Sequence, residues 1–150
     1  MKIIDNNNLI PDKEILKKIV REHPFSKNLD SRINTLIIEL LPSQATSETS
    51  KLNFGNNDVI LSIFRTTPEK NNYKYILYHE FGHIADQFNP EFEYTEEGMN
   101  SLTNNEKLKV EELWNAYIDA RLNDKNLLQV GNNDNNMWGT INGKPQKNSI

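Results

Sequence analysis

A five-residue segment near the middle of the chain, His79-Glu80-Phe81-Gly82-His83, contains the residue types needed for metal-assisted hydrolysis. On an α-helix, positions i and i+4 lie on one face about one turn apart, so both imidazoles can reach a single Zn²⁺ at about 2.0–2.1 Å. Glu80 then lies one step round the helix, beside a zinc-bound water. Its carboxylate can accept a proton as that water attacks a carbonyl and pass it to the leaving amine. The motif predicts one zinc ion per chain and peptide hydrolysis.

Two histidines on a helix can also be ordinary core or surface residues, so their rarity in this chain matters. The whole sequence contains only three histidines. Chance would place two of them around a glutamate at this spacing in roughly one chain in a few hundred. We therefore interpret His79 and His83 as metal ligands. The third, His23, precedes Pro24 and is interpreted as a helix-end residue without a role in the site.

The composition limits the class of protein. Seventeen Lys and Arg against 21 Asp and Glu give a net charge of −4, and the basic residues are scattered, so we expect no nucleic-acid partner. The absence of cysteine excludes disulfides, thiolate metal sites and cysteine nucleophiles. No apolar stretch approaches the roughly 20 residues that span a bilayer, and residues 1–8 do not resemble a signal peptide. We expect a soluble and cytoplasmic protein.

The spacing of apolar residues and helix breakers predicts one α+β domain over residues 1–130 and a weakly ordered, Asn-rich tail over residues 131–150. The predicted strands are a buried strand at 32–41 and a hairpin of 51–54 and 59–64. The predicted helices are a backing helix capped by Asp12 and ending near Arg21, a long helix from Thr66 or Thr67 to Phe88, and a second long helix at 106–128. A surface loop at 90–105 connects the two long helices. The metal-binding motif lies in the first long helix.

The segment from His79 to Asp86 resembles the active-site helix of zincin metallopeptidases, and within that clan it is closer to the gluzincins. Metzincins have Gly and His where this chain has Asp86 and Asn89, which excludes that subclass. Zincins with an Asp three residues after the second His include the lethal-factor-like toxin proteases. The resemblance covers about a third of the chain. It implies a minimal zincin-like domain with a small twisted mixed or antiparallel sheet, and a C-terminal helix that carries the third ligand.

The third ligand of gluzincins is a Glu from a later helix, usually with an Asp or Asn four residues on that supports a zinc-binding His. Here Glu111, Asn115 and Asp119 share one stripe of the second long helix. The resemblance favours Glu111 as the ligand, with Asn115 in support. An alternative register puts Asn115 at the ligand position and Asp119 in support, but asparagine is a poor zinc ligand. Asp119 as a direct ligand is the second choice, and Glu112 is the third.

Other residues of the expected site are less well determined by the sequence. Asp86 lies on the same helix face as the two histidines and is expected either to accept a hydrogen bond from an imidazole or from Arg121, or to face solvent. The resemblance implies that the strand at 59–64 is the sheet edge that binds an extended peptide by backbone pairing. It also implies a Tyr or His that polarises the scissile carbonyl, for which the available residues are Tyr73, Tyr94 and Tyr117.

The sequence therefore predicts a zinc-dependent endopeptidase that acts on extended peptides, with Glu80 as the catalytic residue. A zincin-fold module that binds metal but has a regulatory or interaction role is the alternative. A third possibility is a metal-free helical interaction domain in which the motif arose by chance. Metal binding separates the third possibility from the first two, and turnover separates the first from the second.

Overall fold

The computed structural model describes residues 1–127, which form a mixed α+β domain with a four-stranded open sheet and four helices. The strands are β1 (Lys2–Ile4), β2 (Thr35–Leu40), β3 (Thr49–Asn53) and β4 (Asp58–Ile63). The helices are α1 (Lys13–Arg21), α2 (Tyr73–Phe88), α3 (Glu96–Asn100) and α4 (Asn104–Asp124). The tail predicted at 131–150 lies outside the described residues.

The sheet has the strand order β1-β2-β4-β3. Strands β1, β2 and β4 are parallel to their neighbours, and β3 pairs antiparallel with β4. The β3–β4 hairpin turns at Gly55-Asn56-Asn57, where Asn57 adopts a φ of 60°, a left-handed conformation that asparagine tolerates. The predicted hairpin is confirmed, and the sheet is mixed.

The edge strand beside the helices is β3, because β4 lies between β2 and β3. The prediction that residues 59–64 form the substrate-binding edge is therefore wrong. Val59, Leu61 and Ile63 of β4 are fully buried, and the alternate residues are half-buried, as expected of an interior strand with one face in the core. The β-branched composition of β4 reflects this interior position. The more polar strand β3 has one free edge.

Helix α1 begins where the sequence predicts. The Asp12 side chain accepts hydrogen bonds from the backbone N–H groups of Glu14 and Ile15, which caps the first turn. Leu16, Ile19 and Val20 are buried in the main apolar core. This amphipathic pattern agrees with the predicted backing helix.

Helix α2 starts later than predicted. Thr67–Glu69 forms a separate 3₁₀ turn, and Lys70 has an extended backbone with a ψ of 144°, which interrupts the helical path before Tyr73. One face of α2 enters the main core through Leu77, Phe81 and Ile84, all fully buried. The motif therefore lies in the middle of a 16-residue helix, one face of which is packed in the main core.

Two further segments differ from expectation. Residues 90–105, predicted as a surface loop, contain a 3₁₀ turn at Pro90–Phe92, helix α3 and the first two residues of α4. The Lys2–Ile4 strand, absent from the prediction, is only three residues long and is defined by parallel pairing with β2 rather than by a local pattern. Both are short elements that depend on tertiary partners.

Helix α4 packs across α2. Its N-terminus has a capping box in which Thr103 accepts from the Glu106 N–H and the Glu106 carboxylate accepts from the Thr103 N–H. Ile118 and Leu122 are its buried residues, and they form a second apolar cluster with Tyr75 and Ile76 of α2. No helix within residues 1–127 is long and apolar enough to cross a membrane.

Candidate metal centre

The register between α2 and α4 is set by a close approach at Gly82. A Cβ atom at this position would lie 3.0 Å from Phe25 Cε2 and 3.2 Å from Ile118 Cγ2, which is tighter than ordinary van der Waals contact. The fourth residue of the motif must therefore be very small for α4 to pack this closely. This contact places the residues on either side of Ile118 opposite the two histidines.

A second contact fixes the same register one turn further along α2. Asp86 is 2% exposed and accepts two hydrogen bonds from the Arg121 guanidinium, at 2.9 and 2.6 Å. It also accepts the Trp114 indole N–H at 2.8 Å. The Trp114 ring packs edge-on against His83, with 4.5 Å between ring centroids. From the sequence, Asp86 is expected either to accept a hydrogen bond or to face solvent, and the structure shows the hydrogen bonds from Arg121. Its link to His83 is indirect, because Trp114 donates to Asp86 and packs against the His83 ring.

The two motif histidines converge on one side chain of α4. Asn115 Oδ1 lies 2.9 Å from His79 Nε2 and 2.8 Å from His83 Nε2. The ring centroids of the two histidines are 5.0 Å apart. The i, i+4 spacing thus brings both Nε2 atoms to a common point, as the sequence predicts. The residue that meets them there is Asn115, the ligand position of the alternative register.

The second ring nitrogen of His79, Nδ1, is hydrogen-bonded to Asp119. His79 Nδ1 donates to Asp119 Oδ1 at 2.9 Å, and the Tyr75 hydroxyl donates to the same oxygen at 2.6 Å. Burial lowers the pKa of His79, but the hydrogen bond and charge of Asp119 outweigh it and the pKa is raised. Burial and the Asp119 charge raise the pKa of Tyr75 well above its ordinary value, so its hydroxyl remains a donor. Asp119 therefore occupies the supporting position rather than a position on the Nε2 side.

Glu80 lies on the neighbouring side of α2, beneath the edge strand. The Ser50 hydroxyl of β3 donates to Glu80 Oε1 at 2.9 Å and lies 3.0 Å from the Glu80 backbone carbonyl. Burial raises the pKa of the Glu80 carboxyl, although the charge of His79 and the Ser50 hydrogen bond oppose this shift. A partly desolvated carboxylate with a raised pKa is a stronger base than an exposed one, which suits it to accept a proton.

These side chains line one cleft of about 720 Å³. Its walls are the edge strand β3 on one side and α4 with residues 94–99 on the other. His79, Glu80 and His83 form its floor with Asn115. Glu111 also lines the cleft, and its negative charge contributes to a raised pKa of Tyr94, which arises first from burial.

Glu111 as the third ligand stays a prediction. Glu111 lines the cleft wall, but the residue of α4 that contacts both histidines is Asn115, one turn further along the helix. Among residues 1–127, no group of three or more His, Asp or Glu side chains is close enough together to hold a metal ion. Glu112, the third choice, is exposed. The tyrosines named from the sequence separate: Tyr94 lines the cleft, whereas the buried hydroxyl oxygen of Tyr73 has no hydrogen-bond partner within the described residues.

His23 has a structural role that the sequence analysis did not detect. It is 3% exposed, accepts the Phe25 backbone N–H on Nδ1 at 3.1 Å and donates from Nε2 to the Tyr78 carbonyl at 2.8 Å. Burial lowers the pKa of His23 to about 4. His23 therefore joins the chain after α1 to the turn of α2 that precedes His79. Its position before Pro24 gave no sign of this long-range contact.

The donor set fits a divalent cation. Two imidazole Nε2 atoms meet at one point beside an amide oxygen. An outer carboxylate orients one of the imidazoles, as is common for metal-bound histidines. Comparison of the chain with models of protein families, with curated proteins and with solved structures found no match.

Proposed function

We propose that this protein is a zincin-like, zinc-dependent metallopeptidase that hydrolyses peptide bonds. The observation that carries the proposal is the convergence of His79 Nε2 and His83 Nε2, at 2.9 and 2.8 Å from one Asn115 atom, in a cleft that also contains the Glu80 carboxylate. The gluzincin resemblance of the motif supports the same reaction. A bound Zn²⁺ would supply Lewis acidity, which polarises the scissile carbonyl and acidifies the attacking water.

Glu80 is the group that moves protons in this scheme. Its carboxylate accepts the proton of the water as the water attacks the carbonyl, and then gives that proton to the leaving amine. The Ser50 hydroxyl holds Oε1 at 2.9 Å, which limits the rotation of the carboxylate and leaves Oε2 for proton transfer. Burial, which raises its pKa, favours the acceptance of the proton from water.

The free edge of β3 is where we place the peptide substrate. Residues of β3 line the cleft, and the bond between Ser50 and Glu80 puts the catalytic carboxylate directly beneath this strand. An extended peptide that pairs with the β3 backbone would pass over the two histidines. Backbone pairing makes few demands on side chains, so the substrate class is an extended or unfolded peptide segment.

Replacement of one carboxylate tests the mechanism. Glu80→Gln should retain zinc and lower the rate of peptide cleavage by at least about a hundredfold, because the general base contributes 10²–10⁴-fold. Cleavage is measured on a mixture of unstructured peptides by mass spectrometry, with zinc supplied and with chelator. Glu112→Gln, an exposed change on α4, is the matched control and should cleave as the parent does. Parental cleavage by Glu80→Gln would show that this mechanism is wrong.

The second candidate function is a metal-binding regulatory or interaction module with little general proteolysis. It is favoured by the amide at the place where a peptidase of this type has a carboxylate ligand, since neutral ligands hold Zn²⁺ less strongly. Stoichiometric zinc in the parent, together with no cleavage of any peptide in the mixture, would support this function and contradict the peptidase.

A further inference from the structure

We propose that Asn115, through its side-chain oxygen, is the third protein ligand of the cation held by His79 and His83, and that Glu111 is not a ligand. The proposal rests on the metal-dependent function above and specifies the ligand set of the same site. It predicts a centre with three neutral protein donors. Four independent features of the structure support it.

The first feature is distance. In a tetrahedral zinc site with bonds of about 2.0–2.1 Å, neighbouring ligand atoms are separated by about 3.3 Å. The Asn115 oxygen lies 2.9 Å from one imidazole Nε2 and 2.8 Å from the other. Both separations are within about half an ångström of the edge of such a tetrahedron. A small outward shift of Asn115 would therefore complete three corners of the polyhedron.

The second feature is the direction of the lone pairs. His79 donates its Nδ1 proton to Asp119, so loss of the Nε2 proton on metal binding would leave the lone pair on Nε2, the atom that faces Asn115. The carboxylate that fixes this tautomer is four residues after Asn115 on α4. Asp119 is thus the partner that orients His79, and Asn115 lies one turn before it, on the Nε2 side of the same ring.

The third feature is the fixed position of α4. Three contacts within six residues after Asn115 hold the helix: Ile118 packs against Gly82, Asp119 binds His79, and Arg121 binds Asp86. A slide of α4 by one turn, which would bring Glu111 to the histidines, must break all three contacts. The Asp86 pair is buried at its carboxylate end, so the loss of its partner is costly.

The fourth feature is the reach of Glu111. It lies one helical turn before Asn115, which corresponds to 5.4 Å along the axis of an α-helix. Its side chain exceeds that of asparagine by one methylene, about 1.5 Å, which does not span a turn. The charge of Glu111 instead acts on Tyr94 at the cleft wall.

Zinc affinity of four single variants tests the ligand assignment. Asn115→Asp keeps the shape and adds a charge, and should bind Zn²⁺ at least about tenfold more tightly than the parent. Asn115→Leu keeps the approximate size and removes the oxygen, and should bind at least about tenfold less tightly. Glu111→Gln and Glu112→Gln should remain within about twofold of the parent. Affinity is measured by competition with a chromophoric chelator, and folding by circular dichroism without metal.

Cobalt provides a second readout that is independent of activity. The visible spectrum of the Co²⁺-loaded protein should change in Asn115→Leu and stay unchanged in Glu111→Gln. Parental affinity in Asn115→Leu, or a tenfold loss in Glu111→Gln, would overturn the ligand assignment while leaving the metal site itself in place. A folded parent that binds no Zn²⁺ at all would overturn both the assignment and the proposed function.

Discussion

Asp119 Oδ1 accepts hydrogen bonds from both His79 Nδ1, at 2.9 Å, and the Tyr75 hydroxyl, at 2.6 Å. One carboxylate oxygen of α4 therefore sets the orientation and tautomer of an imidazole on α2. This link connects the packing of two helices to the chemistry of the cleft, because it directs His79 Nε2 toward Asn115.

Replacement of Asp119 should weaken metal binding without removing a ligand. Asp119→Asn leaves a hydrogen-bonding group of the same shape but no negative charge to support His79. We expect Zn²⁺ affinity to fall by about tenfold to a hundredfold, as for outer partners of metal-bound histidines. Tyr75→Phe removes the second hydrogen bond to the same oxygen, together with the 3.1 Å contact between that hydroxyl and His79 Nδ1, but keeps the Asp119 charge and should have a smaller effect. Equal affinity in Asp119→Asn and the parent would contradict a supporting role for Asp119.

The pair between Asp86 and Arg121 should contribute strongly to stability. Arg121→Ala leaves a buried carboxylate with only the Trp114 N–H as a described donor, and should lower the free energy of unfolding by about 3 kcal/mol. Urea unfolding measures this change. Arg21→Ala breaks an exposed pair with Glu22 at 3.9 Å and should cost less than about 1 kcal/mol. Equal losses in the two variants would show that burial of Asp86 has no energetic consequence.

Replacement of Gly82, the glycine of the motif, by alanine should destabilise the protein. Gly82→Ala favours helix formation by about 1 kcal/mol, but its Cβ would press on Phe25 and Ile118, and overpacking of this kind costs about 1–3 kcal/mol. We expect net destabilisation together with weaker zinc binding, because α4 would move away from α2. Gly55→Ala, near only the flexible Asn53 side chain, is the control and should change stability by less than about 0.5 kcal/mol. A more stable Gly82→Ala protein would contradict the close packing.

His23 should make the metal-free protein sensitive to mild acid. Burial, the largest cause, lowers the pKa of His23 to about 4 in the folded state, while the Asp86 charge opposes and the Arg121 charge adds to this shift. The unfolded chain, with a pKa of about 6.5, binds the proton first, so stability is lost as pH falls from about 6.5 to 4. Between pH 7 and pH 5 the loss from this residue should be about 2 kcal/mol.

The variant His23→Gln isolates this contribution. It cannot titrate, so its urea midpoint should fall less between pH 7 and pH 5 than that of the parent. His83, whose pKa burial also lowers to about 4, retains its own contribution in both proteins, so the difference between them reports on His23. Identical pH dependence of parent and variant would mean that His23 is accessible to protons in the folded state.

Local signals explain which parts of the fold could be predicted. The Asp12 cap, the turn at Gly55-Asn56-Asn57 and the i, i+4 histidines each depend on residues near one another in sequence, and all three features are present. The start of α2 was missed because the 3₁₀ turn at Thr67–Glu69 satisfies the same Pro-containing start signal as a helix. The interior position of β4, predicted as an edge, could not be inferred because the pairing partners of a strand are not encoded in its own pattern.

The third-ligand register could not be decided from the stripe alone. Glu111, Asn115 and Asp119 share one helix face, so periodicity treats them alike. The choice depends on where α4 crosses α2, and that crossing is set by the Gly82 contact and the Asp86 pair. Arg121 is one of the partners expected for Asp86 from the sequence, and a contact between these two residues favours the alternative register, in which Asn115 faces the histidines.

Zinc stoichiometry of matched histidine variants is the most direct test of the central claim that His79 and His83 form a metal centre. The purified parent is loaded with zinc, freed of excess and subjected to elemental analysis alongside His79→Ala, His83→Ala and His23→Gln. We predict one zinc per chain in the parent and in His23→Gln, and less than about a tenth of that in the two motif variants, since each lacks one of the paired ligands. A folded parent without zinc, or equal zinc in all four proteins, would contradict the metal centre.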